Sequence, residues 1–260
     1  MCTLTWYLKE KEYAVFFNRD EKKQRQTAIP PKIDSQYKYI MPIDPDGQGT
    51  WIGVNQFGYS FCLLNNYQVG AAQVGATSTD TVHNVKAHLG QDFKSRGKLI
   101  PAIIGLDSFA DIRLNLNNIQ AEQFRPFLLA IFAPELIFSQ QPKVAIYSWN
   151  GKVADFVELP QPIISTSVNF TQANQHRASL FKALTANNKG DAELHYQFHH
   201  SHLPEPGPLS VCMHREDASS VSFSHILVGQ EIQFSYQGLA PCQGQMPMKL
   251  ILQNQSKYFG

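Results

Sequence analysis

The sequence predicts an α+β fold, with strands grouped in hairpins at both ends of the chain and helices between them. Three observations carry this expectation. Near the N-terminus, TLTWYL and YAVFF are rich in β-formers and flank the polar turn KEKE. The middle holds capped segments with apolar residues at helical spacing, such as NFTQANQHRASLFKALTANN. The last third returns to strand-like runs, SSVSFSHILVG, EIQFSYQG and MKLILQ. Strands grouped this way form antiparallel sheets, which sets the class apart from a parallel, doubly wound fold.

Taken in order, the first hairpin turns at Lys9–Glu12, and its Trp6, Phe16 and Phe17 require apolar neighbours. The polar run NRDEKKQRQ follows. GTWIGV and YSFCLLNN form a second hairpin around NQFG, where Gly58 suits a positive φ. TSTDTVHNVKAHLG and GKLIPAIIGLDSFADI read as helices, with Pro101 early enough for a first turn. VAIYSW and GKVADFVEL form a third hairpin around Asn150-Gly151, a type I′ signal. A helix starting at Phe170 or Thr171 places Leu180, Phe181 and Leu184 on one face. PLSVCMHR, SSVSFSHILVG and EIQFSYQG read as a meander with a tight turn at Gly229-Gln230, and MKLILQ closes a sheet. Pro204, Pro206 and Pro208 make the one linker-like patch, too short to mark a boundary, so residues 1–260 read as a single domain.

The bulk numbers narrow the function classes. A net charge of +1, from 22 basic and 21 acidic residues, gives no basic excess for nucleic acid or a membrane surface. Cys2, Cys62, Cys212 and Cys242 are widely spaced, without a Cys-x-x-Cys pair, and read as free thiols in a reducing compartment. Lys9 to Glu12 interrupt the first apolar run, so no secretory signal is expected, and no stretch reaches the roughly 20 apolar residues of a membrane span. The expectation is a soluble, cytoplasmic protein.

Cys2 follows the initiator methionine. Removal of Met1 would leave a cysteine whose α-amine, with a pKa of about 8, can take the proton of a thiol with a pKa of about 8.5. Nucleophile and base then sit on one residue. In the company of other segments, Cys2 gains weight. MCTLTW, FFNRDE at 16–21, GTWIGVNQFG at 49–58, LLNNY at 63–67 and SRGKLI at 95–100 together resemble the NRDE family, also called the transport-and-Golgi-organization protein 2 family. RPFLLAIF, ISTSV and residues 215–228 match more loosely.

The resemblance implies a fold related to the N-terminal-nucleophile hydrolases, a four-layer αββα sandwich of two mainly antiparallel sheets. Its nearest functional relatives, the bile-salt hydrolases and penicillin V acylases, are cysteine enzymes that cleave amides. On that resemblance Cys2 is the nucleophile of a C–N amidohydrolase. Asn65, in register after Gly53, Asn55 and Gly58, is the oxyanion donor, worth roughly 3 kcal/mol of barrier. Asp20 anchors the α-ammonium or a water, Arg19 favours the thiolate, and Arg215 is a second arginine on a late strand. Two departures stand out. Arg19 and Asp20 are adjacent, so on a regular strand they point to opposite faces and share a site only if the strand has ended or bulged. Thr166 or Ser165 stands where the amide hydrolases carry an asparagine. The family's links to haem trafficking and acyl handling imply the alternative, a non-catalytic carrier of haem or a lipid, with a pocket drawn from Trp6, Phe17, Trp51 or Phe61.

Other constellations read as structure. HYQFHHSH puts His195 and His199 on one helix face, with His200 and His202 nearby, but HExxH is absent and no acidic third ligand stands at the usual distance, so a histidine-rich polar helix end is expected. Cys212 and His214 alternate on a strand, a buried thiol and a strand-end imidazole. No metal and no resident cofactor is expected, haem entering only as the carrier's ligand. Phosphate-cradling and GxSxG motifs are absent.

Overall fold

The computed structural model describes residues 2–67 and 93–259; the helix expected over TSTDTVHNVKAHLG lies outside them. The first hairpin joins β1 (Cys2–Leu8) to β2 (Tyr13–Lys22), closed by Lys9 N–H donating to the Glu12 carbonyl at 2.8 Å. β3 (Ile29–Ile33) and β4 (Tyr39–Ile43) follow, then β5 (Ile52–Asn55) and β6 (Ser60–Asn65) around Gly58, whose φ is 76°. The sequence had suggested neither β3 nor β4. Pro30 and Pro31 argue against a central strand, and β3 accordingly takes a sheet edge, where missing N–H donors cost nothing.

The segment expected as one helix is two, α1 (Leu99–Ile103) and α2 (Phe109–Asn117). The Ser108 hydroxyl caps the second by accepting from Asp111 N–H at 3.1 Å. Next come β7 (Phe127–Phe132), α3 (Pro134–Ile137), β8 (Ala145–Trp149), β9 (Ala154–Val157) and β10 (Ile163–Ser165). The β8–β9 turn is not type I′. That turn needs positive φ at both central residues, and only Gly151 has it, at 88°. The Asn150 side chain accepts from the N–H groups of Lys152 and Val153 instead. α4 (Phe170–Leu184) and α5 (Ala192–His200) precede β11 (Ala218–Val228), β12 (Glu231–Gln237) and β13 (Met248–Gln253).

PLSVCMHR is not a strand. It runs as bends with one isolated bridge, His214 to Ser219. The proline cluster removes ladder donors, and β11 already has β2 and β12 on its two edges, leaving no place to pair.

The strands form two antiparallel sheets, ordered β10-β1-β2-β11-β12-β13 and β3-β4-β5-β6-β7-β8-β9. Alternation along each strand decides the layers. Cys2, Leu4 and Trp6 of β1 and Val15 and Phe17 of β2 face Ile52, Val54, Cys62, Leu64, Leu128 and Phe132 of the other sheet. Trp6 and Tyr13 both pack on Phe132, with ring centroids 5.8 and 5.7 Å away. The opposite face of β1 and β2 carries Tyr7, Ala14 and Phe16 and is covered by α5, with α4 packed alongside. The outer face of the seven-stranded sheet, with Phe61, Phe127 and Leu129, is covered by α1 and α2. The result is the expected αββα sandwich. Trp6, Phe17, Trp51 and Phe61 are buried packing residues, and Phe61 lies on the far side of its sheet, so they line no common pocket. Among the described residues no helix is long and apolar enough to cross a membrane.

Candidate active site

Cys2 begins β1 between two strands, in register with Arg19 of β2 and Ser165 of β10. It is 8% exposed. Burial pushes its thiol up to about 11, and the charge of Asp20 adds to that. The positive charge of Arg19 opposes it.

β2 continues past the Arg19-Asp20 pair to Lys22, so it has not ended there. The irregularity is on its partner, where the β11 register slips between Ser220 and Ser222. The two side chains therefore take different surroundings. Arg19 lies on the inter-sheet side, 4.1 Å over the Trp51 ring, and pairs with Asp44 at 3.3 Å and Glu21 at 3.4 Å. Asp20 is buried toward the helical side, accepts from the Ser220 hydroxyl at 2.7 Å, and lies 3.9 Å from Arg177 of α4. Burial raises its carboxyl above the usual range, against the pull of Arg177.

Asn65 ends β6 in the opposite sheet. Its backbone carbonyl accepts from the Ser165 hydroxyl at 2.7 Å, which ties it to the cross-strand partner of Cys2. Its side-chain amide donates to the Tyr67 hydroxyl at 2.7 Å. Thr166 donates its hydroxyl to the Val168 carbonyl at 2.8 Å, closing a local turn after β10. Arg215 is not on a strand as expected. It lies in the turn before β11, where its N–H donates to the Ala218 carbonyl and its guanidinium meets Asp217 at 2.6 Å. It lines a cleft of about 440 Å³ together with Arg19, Lys22, Lys23 and Arg25, and Cys2 does not line that cleft.

Three neighbours of the cysteine escaped the sequence reading. Arg177 donates to the Thr3 hydroxyl at 2.8 Å and to the Leu209 carbonyl at 3.1 Å. Its signal was present: Ala173, Arg177 and Phe181 form the buried stripe of α4, and a cation on such a stripe needs a partner. Tyr67 and Arg96 are both electrostatically coupled to the cysteine, and Arg96 donates to the Pro126 carbonyl at 2.9 Å. Both belong to motifs the resemblance rests on, but nothing in their spacing assigns them.

The histidines of α5 do not form a polar helix end. His195 and His199 are fully buried on Phe16. Thr5 Oγ1 bonds both, at 2.8 and 2.9 Å; His195 also meets the Lys189 carbonyl and His199 the Asn18 side chain. All four ring nitrogens thus have protein partners.

Paired antiparallel sheets between helical layers are the architecture of the N-terminal-nucleophile hydrolases, and solved structures agree. The chain resembles a Caenorhabditis elegans N-acylethanolamine-hydrolyzing acid amidase ortholog, at TM-score 0.58 and 10% identity over 96% of this chain and 100% of that one. It also resembles a mutant and a variant of conjugated bile acid hydrolase from Clostridium perfringens, each at TM-score 0.54, with 11% and 12% identity, covering 100% of this chain and 94% of theirs. The chain belongs to the Transport and Golgi organisation 2 family, whose model matches residues 1–205. Comparison with curated protein sequences finds no significant match.

Proposed function

We propose that the chain is an N-terminal-nucleophile cysteine amidohydrolase, with Cys2 attacking the carbonyl of a small C–N amide. The observation that carries this reading is the seat of Cys2, held in register between Arg19 and Ser165 at the head of an interior strand. The fold supports it, since the neighbours' own names describe an N-acylethanolamine amidase and a conjugated bile acid hydrolase.

A thiol held near 11 is almost wholly protonated at neutral pH and needs a base beside it. Removal of Met1 supplies one. The freed α-amine takes the thiol proton, the sulfur attacks the carbonyl carbon, and an oxyanion forms. A carboxamide has two N–H donors; one from Asn65 meets Tyr67, and the other serves the oxyanion. Collapse expels the amine, which leaves with the proton from the α-ammonium, and water then hydrolyses the thioester. Asp20 anchors the ammonium, Arg19 favours the thiolate, and Arg215 meets polar substrate groups from the cleft. Thr166, turned to its own backbone, adds no donor, so the oxyanion contact rests on Asn65.

The test is a panel of N-acyl amines run on wild type and Cys2→Ala. Wild type hydrolyses a subset and the variant loses at least a thousandfold of the rate; equal rates in both overturn the proposal.

A second reading is favoured by the cleft itself. Five basic residues against one acidic, Glu21, beside Ala28, Val221 and Leu239 suit an anionic amphipath, such as an acyl ligand with a charged head group that competes with the ion pairs of Arg19, Arg25 and Arg215. Tight binding without turnover, undiminished in Cys2→Ala and weakened in Arg215→Ala, favours this carrier. Haem bound through α5 is the less favoured ligand, because His195 and His199 already spend their ring nitrogens on protein partners.

A further inference from the structure

His202, Cys212, His214 and Cys242 come from three irregular segments: the loop after α5, the bends before β11, and the turn Pro241–Gln243 after β12. Their ligand atoms all lie within 4.8 Å of one another. His214 Nε2 is 3.1 Å from His202 Nε2, 3.6 Å from the Cys212 sulfur and 3.4 Å from the Cys242 sulfur. One imidazole nitrogen offers a single proton or a single lone pair, so it cannot satisfy three partners by hydrogen bonding. Convergence of this kind suits a shared centre between the four atoms.

The dimensions fit one. Zinc–nitrogen bonds of about 2.0–2.1 Å and zinc–sulfur bonds of about 2.3 Å give a tetrahedron with edges of about 3.3 Å for N–N, 3.6 Å for N–S and 3.8 Å for S–S. The three separations at His214 lie within a few tenths of an ångström of these edges, and the other three do not exceed 4.8 Å. Two imidazoles and two thiols, without a carboxylate, form a donor set that selects zinc over harder cations. The segment is also held ready. Cys212 N–H donates to the Ser201 carbonyl at 3.0 Å, His214 N–H to the Gly207 carbonyl at 3.3 Å, and Ser210 Oγ to the Cys212 carbonyl at 2.7 Å.

We propose that these four residues form a structural Zn²⁺ site that pins residues 201–215 to the turn after β12. Each thiol releases its proton to solvent on binding, and each imidazole binds through its Nε2 lone pair, so the occupied site is neutral. Four protein ligands leave no open position, which assigns the ion to structure rather than to catalysis. The site is separate from Cys2, but His214 and Arg215 both line the basic cleft, so the ion also fixes one wall of it. The spacing Cys-x-His, with His202 12 residues before His214 and Cys242 28 residues after it, is outside the usual zinc-finger patterns.

The test uses the full chain, purified under reducing conditions, stripped with a chelator and titrated with Zn²⁺ or Co²⁺. The expected result is one equivalent bound per chain, with Co²⁺ giving tetrahedral d–d bands and thiolate-to-metal charge transfer. Cys242 is exposed, so Cys242→Ser is expected to fold, which circular dichroism checks; it should bind at least tenfold more weakly and lose part of the charge-transfer intensity. Cys2→Ser should bind as wild type does. Failure of folded wild type to take up an equivalent, a Co²⁺ spectrum without thiolate bands, undiminished binding by Cys242→Ser, or a Cys212–Cys242 disulfide in the reduced preparation overturns the proposal.

Discussion

Arg177 shows how a single side chain joins the layers. It is 1% exposed midway along α4, with its guanidinium on Thr3 of β1, the carbonyls of Pro208 and Leu209, and, at 3.9 Å, the carboxylate of Asp20 on β2. Burying a guanidinium is expensive unless its donors and its charge are answered, and removing one partner leaves the other buried and uncompensated. Arg177→Ala is therefore expected to destabilise the fold by about 3–5 kcal/mol in urea denaturation. Adding Asp20→Asn to that variant should cost less than the sum of the two single changes, because the pair is coupled. Strict additivity would place Arg177 and Asp20 in separate roles. If Asp20 anchors the α-ammonium of Cys2, Arg177 is the residue that positions it, through the helical layer rather than from within the cleft.

At the scale of elements, β2 meets α5 and β11 through aromatic and imidazole packing. Phe16 is stacked between His195 and His225, each ring centroid 4.6 Å away, and His225 also bonds the Tyr196 hydroxyl at 2.8 Å. Burial lowers His225 to about 4, lowers His199 well below the usual range with the neighbouring His195 adding to it, and lowers His195. These folded-state values lie below the unfolded value of about 6.5, so the unfolded chain binds more protons as the solution is acidified. Their contribution is fully present above pH 6.5 and is lost as pH falls toward 4. Asp20 acts with the opposite sign, since burial raises its carboxyl, so comparison with His225→Gln isolates the histidine part. The urea midpoint should therefore fall steadily from pH 7 to pH 4.5 by circular dichroism, and His225→Gln should flatten the slope. A midpoint independent of pH over that range would show that these rings are not buried neutral. The histidine pattern of α5 was legible only as periodicity. That the stripe faces β2, and stays neutral there, depends on Thr5 and Asn18 from sequence-distant strands.

Across the whole molecule, hairpins were legible where a turn residue announced them, as at Gly58 and in KEKE, and β11 to β13 followed from alternation. β7 was not, because a central strand buried on both faces reads as the unbroken run FLLAIF, without a period. The conjunction of GTW and SRG segments has a plain cause. A Cβ on Gly49 would stand 2.3 Å from the Gly97 backbone, where Thr50 N–H donates to the Gly97 carbonyl at 2.9 Å, so the two segments must touch closely. Resemblance alone put forward Cys2, Arg19, Asp20 and Asn65, whereas Arg215's turn and the seat of Arg177 required the packed layers. The central claim is that the Cys2 sulfur becomes acylated by an amide substrate. Intact mass spectrometry of the chain, acid-quenched during turnover of a hydrolysed N-acyl amine, reads this directly. The expected spectrum shows Met1 removed and one acyl group added, located on Cys2 by peptide mapping and missing from Cys2→Ala; retention of Met1 in active protein, or an acyl adduct that persists in Cys2→Ala, would contradict it.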